Sequence, residues 1–241
     1  MTGMKWAEAT AEELAKAAKN KKALAILPLG NLESHGYHLP AGTDSLLAQG
    51  FCELLERRLE AKGFAPVVLP PTNQAIRSMP EFNLDLPLHL YAKLVRHLVL
   101  KIVSNGFANV VIVAGHTPNK EVAKTIAREV TAKEKGAKIV SFDWFALGDD
   151  EGFADLHHAG DVETSAAAYF FPRLVRENKI FDNPAALKSR AADYSVAGRG
   201  VEQATGKKAC RGIASKHSAE KGKRFVESAV SQAVKIIEAE F

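Results

Sequence analysis

The sequence predicts a single α/β domain over residues 1–241, with a mainly parallel sheet flanked by helices on both faces. Three observations predict it. Apolar runs of strand length alternate along the chain with segments of helical period. Those runs are apolar at every position rather than at every second one, which marks strands covered on both sides. No internal repeat, low-complexity tract or break in composition divides the 241 residues, which are enough to bury one large core.

The elements follow in order. Thr10 with Glu13 reads as a capping box that opens a short helix to about Asn20. "ALAILPL" (23–29) is the first predicted strand. From about Asp44 to Lys62, Leu47, Phe51, Leu54, Leu55 and Leu59 share one helical face, and Gly63 stops the helix. "APVVLP" is a second strand. Residues 70–87 hold four prolines and no helical period, so a long loop is expected there. Leu90, Leu94, Val95, Leu98 and Ile102 mark a helix that ends at Asn105-Gly106. "NVVIVAG" is a third strand, followed by a helix from about Asn119 to Lys135 with Gly136 behind it. "AKIVSFDWF" is a fourth strand. A helix from about Asp161 to Val175, an irregular stretch over 176–220 and a last helix from about Lys223 to Glu238 complete the chain.

Composition narrows the function classes. Hydrophobic residues make up 46% and charged residues 25%, ordinary for a soluble globular protein. The net charge is +4, and the short basic runs (Lys21-Lys22, Arg57-Arg58, Lys221 to Arg224) are interspersed with acids. No basic stripe with stacking aromatics is visible, which argues against nucleic acid as a partner. Cys52 and Cys210 are far apart and form no C-x-x-C, so a disulfide framework is not expected and a reducing compartment fits. The start, "MTGMKWAEATAEELAKAAKNKK", has no apolar h-region. No apolar run approaches the roughly 20 residues of a membrane span. The expected location is the cytoplasm, with no membrane partner.

Three clusters of chemistry-bearing residues fall just past strand ends or at helix starts. Glu33, His35, His38 and Asp44 lie in "GNLESHGYHLPAGTD", after the first strand. His116 lies in "VAGHTPN", at the end of the third. Asp155, His157, His158, Asp161 and Glu163 lie in "DLHHAGDVETSAA", after the fourth. In open parallel sheets, sites form outside the carboxyl ends of the strands. Carboxylates and imidazoles converging there suit divalent zinc, manganese or iron. If two ions bind, Asp44 is the natural bridge, with one oxygen for each. If the chain stays extended after the first strand, Glu33 and His35 point the same way.

Each residue also has an ordinary reading. Asp44 is placed to cap a helix. Glu33 and His35 could be a solvated loop, and His116 could bond a neighbouring carbonyl. Asp161 and Glu163 are first-turn acids favoured by the helix dipole. The convergence of three clusters on one sheet edge favours the metal reading. His89, His97 and His217 read as surface or structural. Ser34 and Ser45 lack a nucleophile-elbow context and neither cysteine lies near a cluster, which disfavours covalent catalysis.

"LPLGNLESHGYHLPAGTD" resembles the first motif of the creatininase (creatinine amidohydrolase) family, P-x-G-x-x-E-x-H-G-x-H-L-P-x-x-T-D. "AGH" followed by Asn119 is similar to its N-G-H-x-x-N, "HAGDVETS" to its H-x-G-x-x-E-T-S, and "SKHSAEKGKRFVESAV" to its C-terminal A-x-x-E-K-G segment. The motifs stand in the right order along nearly the whole chain. The resemblance implies a creatininase-like α/β fold with two divalent metal ions, zinc or manganese with iron as a further candidate. It implies hydrolysis of a C–N bond in a small cyclic amide, formamide or related amide, by metal-activated water.

Carried across, Glu33 matches a ligand of one ion and His35 a ligand of the other. Asp44 matches the bridging aspartate, His116 the histidine of the second motif, and His158 the proton-transfer histidine, which Asp155 or Asp161 would orient. Two departures stand out. Creatininase has a metal-binding glutamate where this chain has Pro118, and Glu163 is the nearest family-matching carboxylate that could complete the site. The family's F-P-G-T segment is replaced by "SMPEFNLDLPLHL", which argues against creatinine as the substrate. Other branches include a deformylase acting on a formamidopyrimidine nucleotide and a peptidase that trims a modified peptide. The family also implies a homo-oligomer, with a hexamer as one form. The alternative is a catalytically silent creatininase-like protein that binds a metal or metabolite.

Overall fold

The computed structural model describes residues 3–76, 79, 82–184 and 209–241. The order is β1 (Met4–Lys5), α1 (Ala11–Ala18), β2 (Ala23–Leu29), α2 (Thr43–Glu60), β3 (Ala65–Val68), α3 (Leu88–Ser104), β4 (Asn109–Ala114), α4 (Asn119–Lys133), β5 (Lys138–Asp143), α5 (Asp161–Phe170) and α6 (Ala219–Glu240). Among the described residues these form one five-stranded sheet in the order β1-β3-β2-β4-β5. Every adjacent pair is parallel.

The uninterrupted apolar runs have the expected cause. Successive side chains point to opposite faces of a sheet. Leu24 and Ile26 of β2 and Val111 and Val113 of β4 pack in one cluster with Leu47, Phe51 and Leu55 of α2, Val162 of α5, and Phe225 and Ala229 of α6. Their neighbours Ala25, Leu27, Val110 and Ile112 pack on the other face with Tyr91, Val95 and Val99 of α3 and Val122 and Ile126 of α4. A polar residue at either parity would be buried, so both parities are apolar.

The elements differ from expectation mainly at their ends. β1 was not anticipated: two residues carry no periodicity, yet Met4 and Lys5 pair with Val67 and Val68. β5 stops at Asp143, whose side chain accepts the Phe145 N–H and starts a 3-10 turn over Trp144–Leu147. α5 ends at Phe170, short of Val175, because Pro172 has no N–H to continue the ladder. α6 begins four residues early. Ser218 is its N-cap, and its hydroxyl accepts the Lys221 N–H at 3.2 Å. The capping box of α1 is present, with both Thr10 and Glu13 in their reciprocal roles. Of the expected irregular stretch 176–220, residues 185–208 lie outside the described ones. The described remainder holds short 3-10 turns at Glu177–Lys179 and Ala214–Lys216. No described helix is long and apolar enough to cross a membrane.

One buried acid sits away from the sheet edge. Glu56 of α2 is buried, and a Cβ added at Gly3 would lie 2.0 Å from its Cδ. Its Oε1 has no hydrogen-bond partner among the described residues. Burial, then the charge of Glu60, pushes its pKa up to about 7, and nearby Lys5 offsets this only in part. A raised carboxylate pKa means that the folded state holds the proton more tightly than the unfolded chain. Stability therefore falls as pH rises from the ordinary carboxylate range through about 7. Glu56→Gln should remove that loss. Melting temperatures of both proteins at pH 5 and pH 8 test this: the variant should gain on the parent at the higher pH, and equal gains at both would refute the assignment.

Candidate metal and active site

The loops that leave β2, β4 and β5 meet at the carboxyl edge of the sheet. α2 begins directly over that edge. A Cβ on Gly115, just past β4, would lie 2.6 Å from Ala48 Cβ and 2.8 Å from the Asp44 carbonyl oxygen. Only glycine permits that approach, and it brings the first turn of α2 against the His116 loop. The α2 N-cap is Gly42, with no side-chain cap bond. The Asp44 carboxylate therefore does not serve as a cap. It is buried and spans two imidazoles: Oδ1 lies 3.1 Å from His35 Nε2, and Oδ2 lies 3.1 Å from His116 Nδ1.

Around Asp44 the other residues divide into two groups. On one side His116 Nδ1 is also 3.0 Å from Glu33 Oε1. Glu33 Oε2 accepts the Met79 N–H. On the other side His35 Nε2 is 3.9 Å from Glu163 Oε2. Glu33, Asp44 and His116 each bring a ligand atom within 4.8 Å of the others, as do His35, Asp44 and Glu163. Past His35 the chain turns, where Gly36 takes a positive φ of 64° and His35 bridges to Leu39. Glu33 and His35 both face the cluster, Glu33 beside His116 and His35 beside Glu163. Glu163, third residue of α5, also accepts the Ala159 N–H at 2.6 Å, so it serves its own helix start as well as facing the cluster.

The three imidazoles share one arrangement. His35 Nδ1 lies 3.0 Å from the Glu33 carbonyl, His116 Nε2 3.0 Å from the Ile76 carbonyl, and His158 Nε2 2.8 Å from the Ser34 carbonyl. A carbonyl only accepts, so each of these nitrogens carries the proton. The second nitrogen of each ring then faces the carboxylates, where its lone pair can take a proton or a metal ion. Burial pushes the His35 pKa down, but Asp44 beside it, with Glu163 and Glu33, raises it to about 10. Against the same effect of burial, Asp44 and Glu33 hold His116 well above its usual range. Burial raises the Asp44 pKa, but His35 and His116 more than reverse this and keep the carboxylate ionised. These lone pairs are therefore placed for a cation, whether a proton or a metal ion. Carboxylate oxygens and imidazole nitrogens are the donors that borderline divalent ions take, and a ligating histidine characteristically gives its other N–H to a carbonyl or carboxylate.

His158 stands apart. Its Nδ1 is 3.9 Å from Glu33 Oε1, and its ring lies against that of His35 with centroids 4.3 Å apart. Glu33, His35 and His158 also come within 4.8 Å, but His35 Nε2 already faces Asp44 and Glu163. The expectation that Asp155 or Asp161 orients His158 needs correction, since its ring N–H goes to the Ser34 carbonyl. Asp155 instead clasps main chain. It accepts from His157 N at 3.0 Å, Asp161 N at 3.3 Å and Ile213 N at 2.6 Å. A Cβ at Gly160 or Gly212 would lie 1.9 or 2.5 Å from its Oδ1. Asp161 bonds Lys221 Nζ at 2.5 Å and Ser165 Oγ at 3.1 Å. His38, grouped with the first cluster in the sequence, is buried and turned towards Thr164 Oγ1 at 3.0 Å. Burial and neighbouring His35 lower its pKa to about 4, so it stays neutral.

A cavity of about 360 Å³ opens over the cluster, lined by Glu33, Asp44, His116, His158 and Glu163. Its remaining wall includes Pro118, Lys120, Leu156 and Arg211. Lys120, Leu156 and Arg211 were missed in the sequence. Arg211 stands just upstream of the recognisable C-terminal motif, and that adjacency was the one available signal. Asn119 is buried and structural: its Nδ2 donates to the Gly30 carbonyl at 3.2 Å, tying the β4 loop to the β2 loop.

The chain is similar to known proteins along most of its length. The family model described as Creatininase, creatinine amidohydrolase, matches residues 7–237. A creatinine amidohydrolase of Pseudomonas putida is 25% identical over 185 residues, 67% of this chain and 69% of that protein. A mycofactocin precursor peptide peptidase of Mycobacterium ulcerans (strain Agy99) is 26% identical over 164 residues, 64% of this chain and 61% of its own length. Among solved structures, a creatinine amidohydrolase (creatininase) superposes with a TM-score of 0.86 at 23% identity, covering 100% of this chain and 99% of that one. A mutant creatininase of Zn-Zn type gives 0.85 at 22% identity over the same shares. The match over nearly all of the chain, with the fold it shares, places this protein in the creatininase family.

Proposed function

We propose that the protein is a metal-dependent amidohydrolase that cleaves a C–N bond in a small amide with the help of two divalent ions. The observation that carries this reading is the common orientation of the histidines: each gives its proton to a backbone carbonyl and turns its other nitrogen towards the carboxylates. Glu33, Asp44 and His116 would hold one ion, and His35, Asp44 and Glu163 the other, with Asp44 shared. Glu163 takes the place left open by Pro118. Zinc or manganese suits these donors, and the solved relatives include creatininases described as Mn and as Zn-Zn. When bound, such ions polarise a carbonyl and make water acidic enough to attack near neutral pH.

The chain's own groups supply the rest. The Ser34 carbonyl fixes the His158 tautomer, with the proton on Nε2 and the lone pair on Nδ1 towards the cluster. Nδ1 can therefore take a proton from the attacking water and return it to the departing nitrogen, which leaves poorly unless protonated. The cavity is of small-molecule size. Its apolar contribution comes from residues such as Met79 and Leu156, which would cover the amide and limit water.

Metal analysis of the purified protein tests the first half of the reading. About two ions per chain are expected. Asp44→Ala should lose both, because the shared ligand is gone. Glu163→Gln should empty the His35 side alone and abolish turnover. If Glu163 acts only at its helix start, worth about 0.3–1 kcal/mol, that change leaves metal content and turnover nearly untouched. Amide hydrolysis by metal-free protein would end the metal reading.

A screen of cyclic amides, formamides and short peptides provides the substrate for the second test. His158→Ala should keep its metal and fold but lose about 10²–10⁴-fold in kcat on an amide with a poor leaving group. An analogue with a better leaving group should lose much less. Equal losses on both would remove His158 as the proton donor. A protein that binds its ions and cleaves none of these classes would support the silent metal-binding alternative.

A further inference from the structure

Once Glu33, Asp44 and Glu163 are assigned to ions, the charged side chains left on the cavity wall among the described residues are Lys120, Glu121 and Arg211, besides the imidazoles of His116, His157 and His158. Arg211 is the unusual one. It is buried to 5% exposure, whereas Lys120 and Glu121, in the first turn of α4, are exposed. Its main-chain N–H donates to the His158 carbonyl at 2.8 Å. The Asp155 carboxylate holds the two segments together, bonding His157 N and Asp161 N on one and Ile213 N on the other. Arg211 is thus fixed to the loop that carries His158 and leads into Glu163, on the wall of the same cavity.

We propose that Arg211, with Lys120 elsewhere on the same cavity wall, holds a carboxylate on the substrate, so that the site takes amides bearing one negative charge, such as N-acylated amino acids, in preference to neutral amides. Arg211 also has interactions within the protein. A guanidinium carries five N–H donors in a rigid fork, so it can keep a protein partner on one edge and meet a carboxylate with the other. A monoanion fits better than a phosphate dianion, because Glu121 stands on the same wall and opposes the second charge. The clasp around Asp155 supplies preorganisation: the arginine is held in register with His158 before the ligand arrives, so less ordering is needed on binding.

The inference rests on the hydrolase reading for the amide part of the ligand, and the test separates the two. Three sulfonamide probes that cannot be cleaved are titrated by calorimetry into the metal-loaded protein: N-methylsulfonylglycine, the neutral alcohol N-(2-hydroxyethyl)methanesulfonamide, and the matching aminomethylphosphonate. The carboxylate should bind at least about tenfold more tightly than the neutral alcohol, the size expected of charge-assisted hydrogen bonds. The phosphonate should bind no more tightly than the carboxylate. Arg211→Gln should erase most of the preference, and Lys120→Gln, at an exposed position, should erase part of it even if the buried variant fails to fold. Metal content, measured in the same samples, should not change. Equal binding of all three probes, no measurable binding of the carboxylate, or a preference that survives in folded Arg211→Gln would overturn the assignment. Tighter phosphonate binding would overturn the choice of carboxylate. A protein that keeps the preference but binds no metal and cleaves no amide would end the hydrolase reading and leave the carboxylate site standing, and a metal-loaded, amide-cleaving protein without the preference would do the reverse.

Discussion

The site is organised around a single carboxylate placed between two imidazoles. Asp44 can stand 3.1 Å from both His35 and His116 only because the first turn of α2 lies on the carboxyl edge of the sheet. That position is a packing result. Leu47, Phe51 and Leu55 draw α2 onto one face of the sheet, and Gly115 leaves room for its first turn over the end of β4. The cost of burying Asp44 is offset locally by the imidazoles on either side, which hold it ionised. Core packing and site electrostatics are therefore coupled through one helix start. A shift of α2 along the sheet would separate the carboxylate from both histidines together.

Much of this was legible in the sequence, for identifiable reasons. β2 and β4 declare themselves because the centre of a sheet covered on both faces admits almost no polar position, whereas the edge strand β5 tolerates Lys138, Ser141 and Asp143. The site loops declare themselves because groups costly to bury are gathered just past apolar runs. β1 was not legible, since two residues have no period and their pairing with β3 depends on tertiary context. Helix ends were misjudged where a single residue decides them, as with Pro172 after α5 and Ser218 before α6. Within the site, the identity of clustered residues was readable but their partners were not. His38 stands in the first cluster in the sequence and turns out to bond Thr164. Asp155 looks like a partner for His158 and turns out to hold main chain across 58 residues of sequence. Both outcomes depend on contacts between distant segments, which spacing within one motif does not encode.

Two carboxylates show how environment divides roles among like residues. Asp44 and Glu56 are both buried on α2. Asp44 has imidazoles beside it and is held ionised, whereas Glu56 has acidic neighbours and retains its proton up to about 7. The same helix thus presents an anion at its start and an acid that titrates near neutrality about three-quarters of the way along. Pro118 is a comparable case of substitution by context. It opens α4 at the cavity wall, where no ligand atom is available, while Glu163 approaches the same cluster from α5. Groups from different elements can face one point because several strand ends converge on one edge.

The carbonyls of Glu33, Ser34 and Ile76 fix the three ring orientations, and all three belong to the main chain. A point substitution can delete a side-chain acceptor but cannot delete a carbonyl. The layer that aims the imidazoles is therefore carried by the path of the backbone rather than by residue identity at positions 34 and 76. Side chains there answer to other constraints, Ile76 to its packing in the core, rather than to the imidazole nitrogens. The wall of the cavity can then be rewritten for a new substrate without re-inventing the nitrogen geometry beneath it. For a designer, the loops after β2 and β3 are the parts to transplant whole, and the lining residues are the parts to vary.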